Sequence, residues 1–115
     1  MNDDIKFIEL IEREVLAFDD VSRFADASLT ENIQAAFGRD LINPGIRVTS
    51  EDDLITIAID IIVYFGVNIP QLCYDIQTKV KNNLEKETGL EIKAVNITVE
   101  GIDERTNNTD SQETE

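Results

Sequence analysis

The chain has 115 residues, 42% of them hydrophobic, and a formal net charge of −14. That is the length of one domain with enough apolar content for a core, which excludes a wholly disordered chain. The acidic balance opposes binding to nucleic-acid phosphates or to a bare anionic membrane, and it favours basic protein surfaces as partners.

Asp3 to Phe18 reads as a helix, with Ile5, Ile8, Ile11, Val15 and Phe18 at three- and four-residue spacings. Asp3 and Asp4 stand where acidic groups favour the positive end of the helix dipole. Asp19–Ala27 is a short strand or loop anchored by Val21 and Phe24. Ser28 and Glu31 have capping-box spacing and start a second helix with the stripe Leu29, Ile33, Ala36 and Phe37, stopped at Gly38.

Asn43-Pro44-Gly45 punctuates the next boundary. Ile46–Thr49 and Leu54–Phe65 alternate as strands across the polar tip Ser50–Asp53, so they read as a hairpin. In the second strand the odd positions Ile55, Ile57, Ile59, Ile61, Val63 and Phe65 are all apolar, which predicts a core face. The even positions Leu54, Thr56, Ala58, Asp60, Ile62 and Tyr64 are mixed, which predicts a face partly covered or partly wet.

At Gly66-Val67-Asn68-Ile69-Pro70 the chain turns from strand into helix. Asn68 with Gln71 three residues on reads as a capping box, Val67 with Leu72 as a hydrophobic staple, and Pro70 is tolerated in a first turn. Ile69, Leu72, Cys73, Ile76, Val80 and Leu84 make a continuous apolar stripe. Gly89 is the left-handed stop, with Leu90 placed to fold back on Leu84. A last strand runs from about Glu91 to Gly101, with Ile92 out of phase with Val95, Ile97 and Val99, which predicts a bulge or a late strand start near Lys93. Residues 103–115, DERTNNTDSQETE, lack any apolar residue and read as a disordered acidic tail.

Candidate chemistry is sparse. Histidine is absent and Cys73 is the single cysteine, so the commonest general base, the ordinary zinc sites and an internal disulfide are all missing. Cys73 lies on the apolar stripe and reads as a core residue. One glycine at Gly66 is too few for a phosphate cradle, so Gly66, Val67, Asn68 and Pro70 read as a structural turn. Glu51-Asp52-Asp53 could draw a cation but reads first as a solvated tip. Asp60, inside an apolar strand, needs a partner, for which Arg47, Asn96 and Thr98 are candidates. The acidic N-terminus lacks the character of an export signal, and no apolar run reaches the ~18 residues of a membrane span. The expected location is therefore cytoplasmic. The candidate partner surface is the mixed sheet face at Leu54, Ala58, Ile62 and Tyr64, which would otherwise pack the N-terminal helix.

Four stretches together resemble a known family: Asn43-Pro44-Gly45-Ile46, Tyr64 through Pro70, Thr88 through Ile92, and Val95 through Ile102. Their order and spacing over about residues 30–102 are similar to those of the alkaline shock proteins, bacterial proteins of the envelope stress response. The resemblance implies a small α+β domain over residues 1–102, with no enzymatic activity, cofactor or metal. It also implies self-association into a homo-oligomer, and anchoring at the inner face of the cell membrane through a small membrane-anchored protein, without direct membrane insertion or nucleic-acid binding. The alternative it carries is a regulator acting on enzymes of lipid or fatty-acid metabolism. A small cation-dependent enzyme using Asp60 or Glu51, Asp52 and Asp53 is the rival class. The expected architecture is a three- to four-stranded mixed or antiparallel sheet with helices packed mainly on one face.

Overall fold

A computed structural model of the chain describes residues 2–25, 41–43 and 45–105. Helix α1 (Asn2–Leu16) leads into β1 (Val21–Phe24). Next come β2 (Leu41–Asn43), β3 (Ile46–Glu51) and β4 (Leu54–Tyr64), followed by α2 (Ile69–Thr88) and β5 (Glu91–Asp103). The helix expected over residues 28–37 lies outside the described residues.

The protein is α+β, with one mixed five-stranded sheet. The segment read as a short strand or loop is strand β1, the fourth, and the three-residue β2 adds a fifth beyond the expected three or four. The 11-residue β4 organises it. On one edge, β3 pairs antiparallel with Leu54–Ile59 and β1 with Ile61–Val63, so two strands lie end to end along one. They meet at Asp60. Its amide donates to the Gly45 carbonyl (2.8 Å), and its carbonyl accepts from the Ala25 amide (2.9 Å). Gly45, at φ +80°, closes this seam: a Cβ there would stand 2.7 Å from Phe24 Cβ and 2.9 Å from Asp60 O. Only glycine combines that φ with that space.

On its other edge β4 pairs in parallel with β5 along its whole length. A parallel neighbour needs a crossover, and α2 supplies it. The register slips at Lys93, as the phase break predicts, and again at Glu100.

The core lies on one face of the sheet. Ile55, Ile57, Ile59, Ile61 and Val63 of β4 pack with Ile46, Val48, Ile92 and Val95 beneath Phe7, Ile8, Ile11 and Val15 of α1 and Leu72, Ile76, Val80 and Leu84 of α2. Both described helices therefore cover the face predicted from the odd positions. The alternation ends one residue early: Phe65 is 74% exposed, because the chain leaves the strand at Tyr64 and turns through Gly66 at φ +92°. Cys73 is half-buried, with burial raising its thiol pKa. Gly89 stops α2 at φ +75°, its amide donating to the Glu85 carbonyl. Leu90 does not fold back on Leu84. It is 46% exposed, and its amide donates to Thr88 Oγ1, which sends the chain directly into β5.

Candidate functional site

The Gly66–Pro70 corner is occupied by its own capping. Asn68 has extended backbone (φ −81°, ψ 96°) and its side-chain oxygen accepts from the Gln71 amide at 3.2 Å. Its carbonyl accepts from the Leu72 amide, and Pro70 has no amide to offer. The reciprocal half of the capping box is replaced: the Gln71 side chain donates forward to Asp75 Oδ1 at 2.9 Å. Val67 is half-buried against the core, as a staple position requires.

The hairpin tip is a two-residue turn with Asp52 and Asp53 at φ +54° and +67°, both exposed. That is the twist antiparallel strands require. Among the described residues no three of His, Cys, Asp and Glu converge on a point where an ion would sit.

Leu54, Ala58, Ile62 and Tyr64 stand on the sheet face opposite the core, in one row of β4. Leu54, Ala58 and Tyr64 are half-buried and Ile62 is 8% exposed. Polar pairs divide the row. In its middle, Asp60, 7% exposed, accepts from Arg47 Nη1 at 3.1 Å, with Thr98 opposite it in the register. Of the three partners considered for Asp60, Arg47 is the one that holds it. At the far end the Arg105 guanidinium stacks on the Tyr64 ring at 4.3 Å and donates to the Asp19 carbonyl and to Asp20. Beside it Asp103 accepts from Ser22 Oγ at 2.6 Å and from Arg23 Nε at 3.3 Å. The Ser22 hydroxyl, more than the Arg23 charge, holds the Asp103 carboxyl below its ordinary pKa, against a smaller effect of burial. Residues 103–105 thus belong to the fold rather than to the expected tail. Residues 106–115 lie outside the described residues.

A second surface was not anticipated from the sequence. A groove of about 1140 Å³ opens between α1, the β3–β4 hairpin and the end of α2. Phe7, Leu10, Val48, Ile55 and Leu90 give it an apolar lining, and Glu9, Asp53, Glu87 and Glu91 outnumber Lys6 and Arg13 on its rim. Phe7 and Leu10 carry the signal that was available. They broaden the apolar stripe of α1 beyond Ile8 and Ile11, and Leu10 stays half-buried at the edge of the core.

Three comparisons bear on this arrangement. The family model of the alkaline shock proteins, described as having a cell envelope-related function, matches residues 10–104. Among curated proteins, YloU of Bacillus subtilis is 38% identical over 58 residues, covering 50% of this chain and 48% of its own length. YqhY of the same organism is 36% identical over 66 residues, covering 57% and 49%. Spy1614 of Streptococcus pyogenes is 29% identical over 85 residues, covering 74% and 70%. All three are named as uncharacterized proteins. The chain spans about half the length of the first two. No solved structure matches.

Proposed function

The chain belongs to the alkaline shock protein family, whose function is cell envelope-related, and from that premise we propose that it is a non-catalytic scaffold or adaptor. It works at the cytoplasmic side of the envelope by associating with itself and by holding a membrane-anchored protein. The observation that carries this reading is the groove between α1, the hairpin and the end of α2. An apolar floor under a mainly acidic rim suits a basic amphipathic segment of another protein. No described helix is long and apolar enough to cross a membrane, which fits anchoring by a partner. On the opposite sheet face Asp60, Asp103 and Arg105 are each bonded within the fold, which supports the reading too. The second sheet face, at Leu54 and Ala58, is the other partner surface.

Crosslinking in living cells followed by mass spectrometry tests this. The expected products join one copy to another, and join Lys6 on the groove rim to a small integral membrane protein. Crosslinks only to soluble enzymes of lipid metabolism would replace the scaffold with the regulatory reading.

A further inference from the structure

Strand β5 is 13 residues long, and among the described residues it pairs only with β4. No described strand pairs with its other edge. Which of its backbone groups point that way follows from β4. The amides of Asp60 and Tyr64 bond toward the β3 and β1 side, whereas the Phe65 amide bonds to the Asp103 carbonyl. The odd residues of β4 therefore bond β5. In a parallel ladder, the residue opposite each of them directs its own N–H and C=O away. Opposite Ile57, Ile59 and Ile61 stand Val95, Ile97 and Val99.

Ile92, opposite Ile55, follows the same rule, and there the outward groups are taken. Glu85 Oε2 accepts from the Ile92 amide at 3.0 Å, and Lys81 Nζ donates to its carbonyl at 3.2 Å. At Val95, Ile97 and Val99 no described side chain does this. The bulges at Lys93 and Glu100 bound this free length. Between them Ala94-Val95-Asn96-Ile97-Thr98-Val99 carries no charge, on a chain of net charge −14.

We propose that this segment is the self-association surface, where two copies pair antiparallel about a two-fold axis through Ile97 and join their sheets edge to edge. The proposal rests on the self-association part of the preceding reading. The two-fold sets Ile97 opposite Ile97, and Val95 opposite Val99 of the second copy, with roughly six outward backbone groups of each copy bonded. It is the register in which all three outward-directed residues find outward-directed partners. The β-branched side chains of Val95, Ile97 and Val99 extend the core-side row across the junction. On the opposite face Asn96 meets Thr98. Lys93 comes within one register step of Glu100 of the second copy, so the charges at each end are opposed in sign. A strand of this length buries little area, so the association is weak and concentration-dependent. Screening the net charge with salt strengthens it.

Sedimentation of the purified chain over a wide concentration range, at raised salt, tests the proposal. Asn96 and Thr98 are exposed, but Thr98 stands opposite Asp60 in the register, so circular dichroism and a thermal melt first establish that each variant keeps the monomer fold. Asn96→Glu with Thr98→Glu places like charges opposite each other twice, and it weakens association at least about fivefold. Asn96→Lys with Thr98→Glu places opposite charges there and associates at least as well as the unmodified chain. Thr78→Glu with Asn82→Glu on the exposed side of α2 adds the same charge away from the edge and has a much smaller effect. If the unmodified chain associates and the edge variants associate equally well, this interface is wrong while self-association stands. If Asn96→Lys with Thr98→Glu weakens association as much as the double glutamate, the register is wrong. If the unmodified chain stays monomeric throughout, self-association itself fails.

Discussion

Two residues hold the seam where β1 and β3 meet on β4. Gly45 has both a left-handed φ and, at the place of a side chain, the Phe24 Cβ and the backbone carbonyls of Asp60 and Ala25. Gly45→Ala must move Phe24 or part the strands, and it is expected to destabilise the fold by about 2–4 kcal/mol, measured by urea unfolding. Arg47 is the other. Its guanidinium is one-third exposed while the Asp60 carboxylate is one-tenth exposed. Arg47→Met leaves a carboxylate short of its partner in a nearly dry place, an expected loss of about 1–3 kcal/mol. Replacing both, as Arg47→Met with Asp60→Leu, removes the desolvation cost with the pair and recovers most of that loss. The sequence marked Asp60 as needing a partner because a carboxylate interrupts an apolar strand. It could not mark Gly45 as more than punctuation, because the strands that crowd it are far away in the chain.

At the scale of elements, α2 carries its start and stop signals openly: Asn68, Pro70 and Gly89 sit where capping chemistry wants them. Its last turn has a second task that pattern did not reveal. Glu85 joins Lys81 at 2.9 Å and also accepts from the Ile92 amide, so the helix end is tied to the first residues of β5. The Ile92 amide, and after it Lys81, hold the Glu85 carboxyl below its ordinary value of 4.5. A pKa lowered by folding stabilises the native state fully above that ordinary value. The benefit is lost as pH falls through the lower folded value. The thermal midpoint of the unmodified chain is therefore expected to drop in acid more steeply than that of Glu85→Gln, the two converging at the acidic end. Asp103, lowered below 3.8 chiefly by Ser22, adds a loss of the same sign in a somewhat more acidic window. The exposed Leu90 belongs to this element as well. The bond from its amide to Thr88 replaces the apolar fold-back that a glycine stop often brings.

For the molecule as a whole, charge opposes compaction. A net charge of −14 on 115 residues repels itself in the native state more than in an expanded chain. Stability is therefore expected to rise as sodium chloride is added from low ionic strength, seen as an increase in the thermal midpoint. Charge also directs association. It leaves apolar or uncharged strips, such as the groove floor and the middle of β5, as the places where another chain can approach without adding to the repulsion.

Period and capping were enough to locate both described helices, the β3–β4 hairpin, the core-facing row of β4 and the bulge at Lys93, because each is set by side chains within a few residues of one another. The sequence also identified the family through its turn and strand motifs. Other features needed the folded chain. Phe65 keeps the alternation of its strand yet lies outside it, since where β4 ends depends on α2. The seam at Asp60, the clasp of Arg105 on Tyr64 and the groove beside α1 each join residues distant in sequence. Among the described residues β5 is paired on one side, by β4, and that pairing sets which of its backbone groups face outward. Local chemistry specifies elements; which of their faces and edges remain available is decided by how those elements pack.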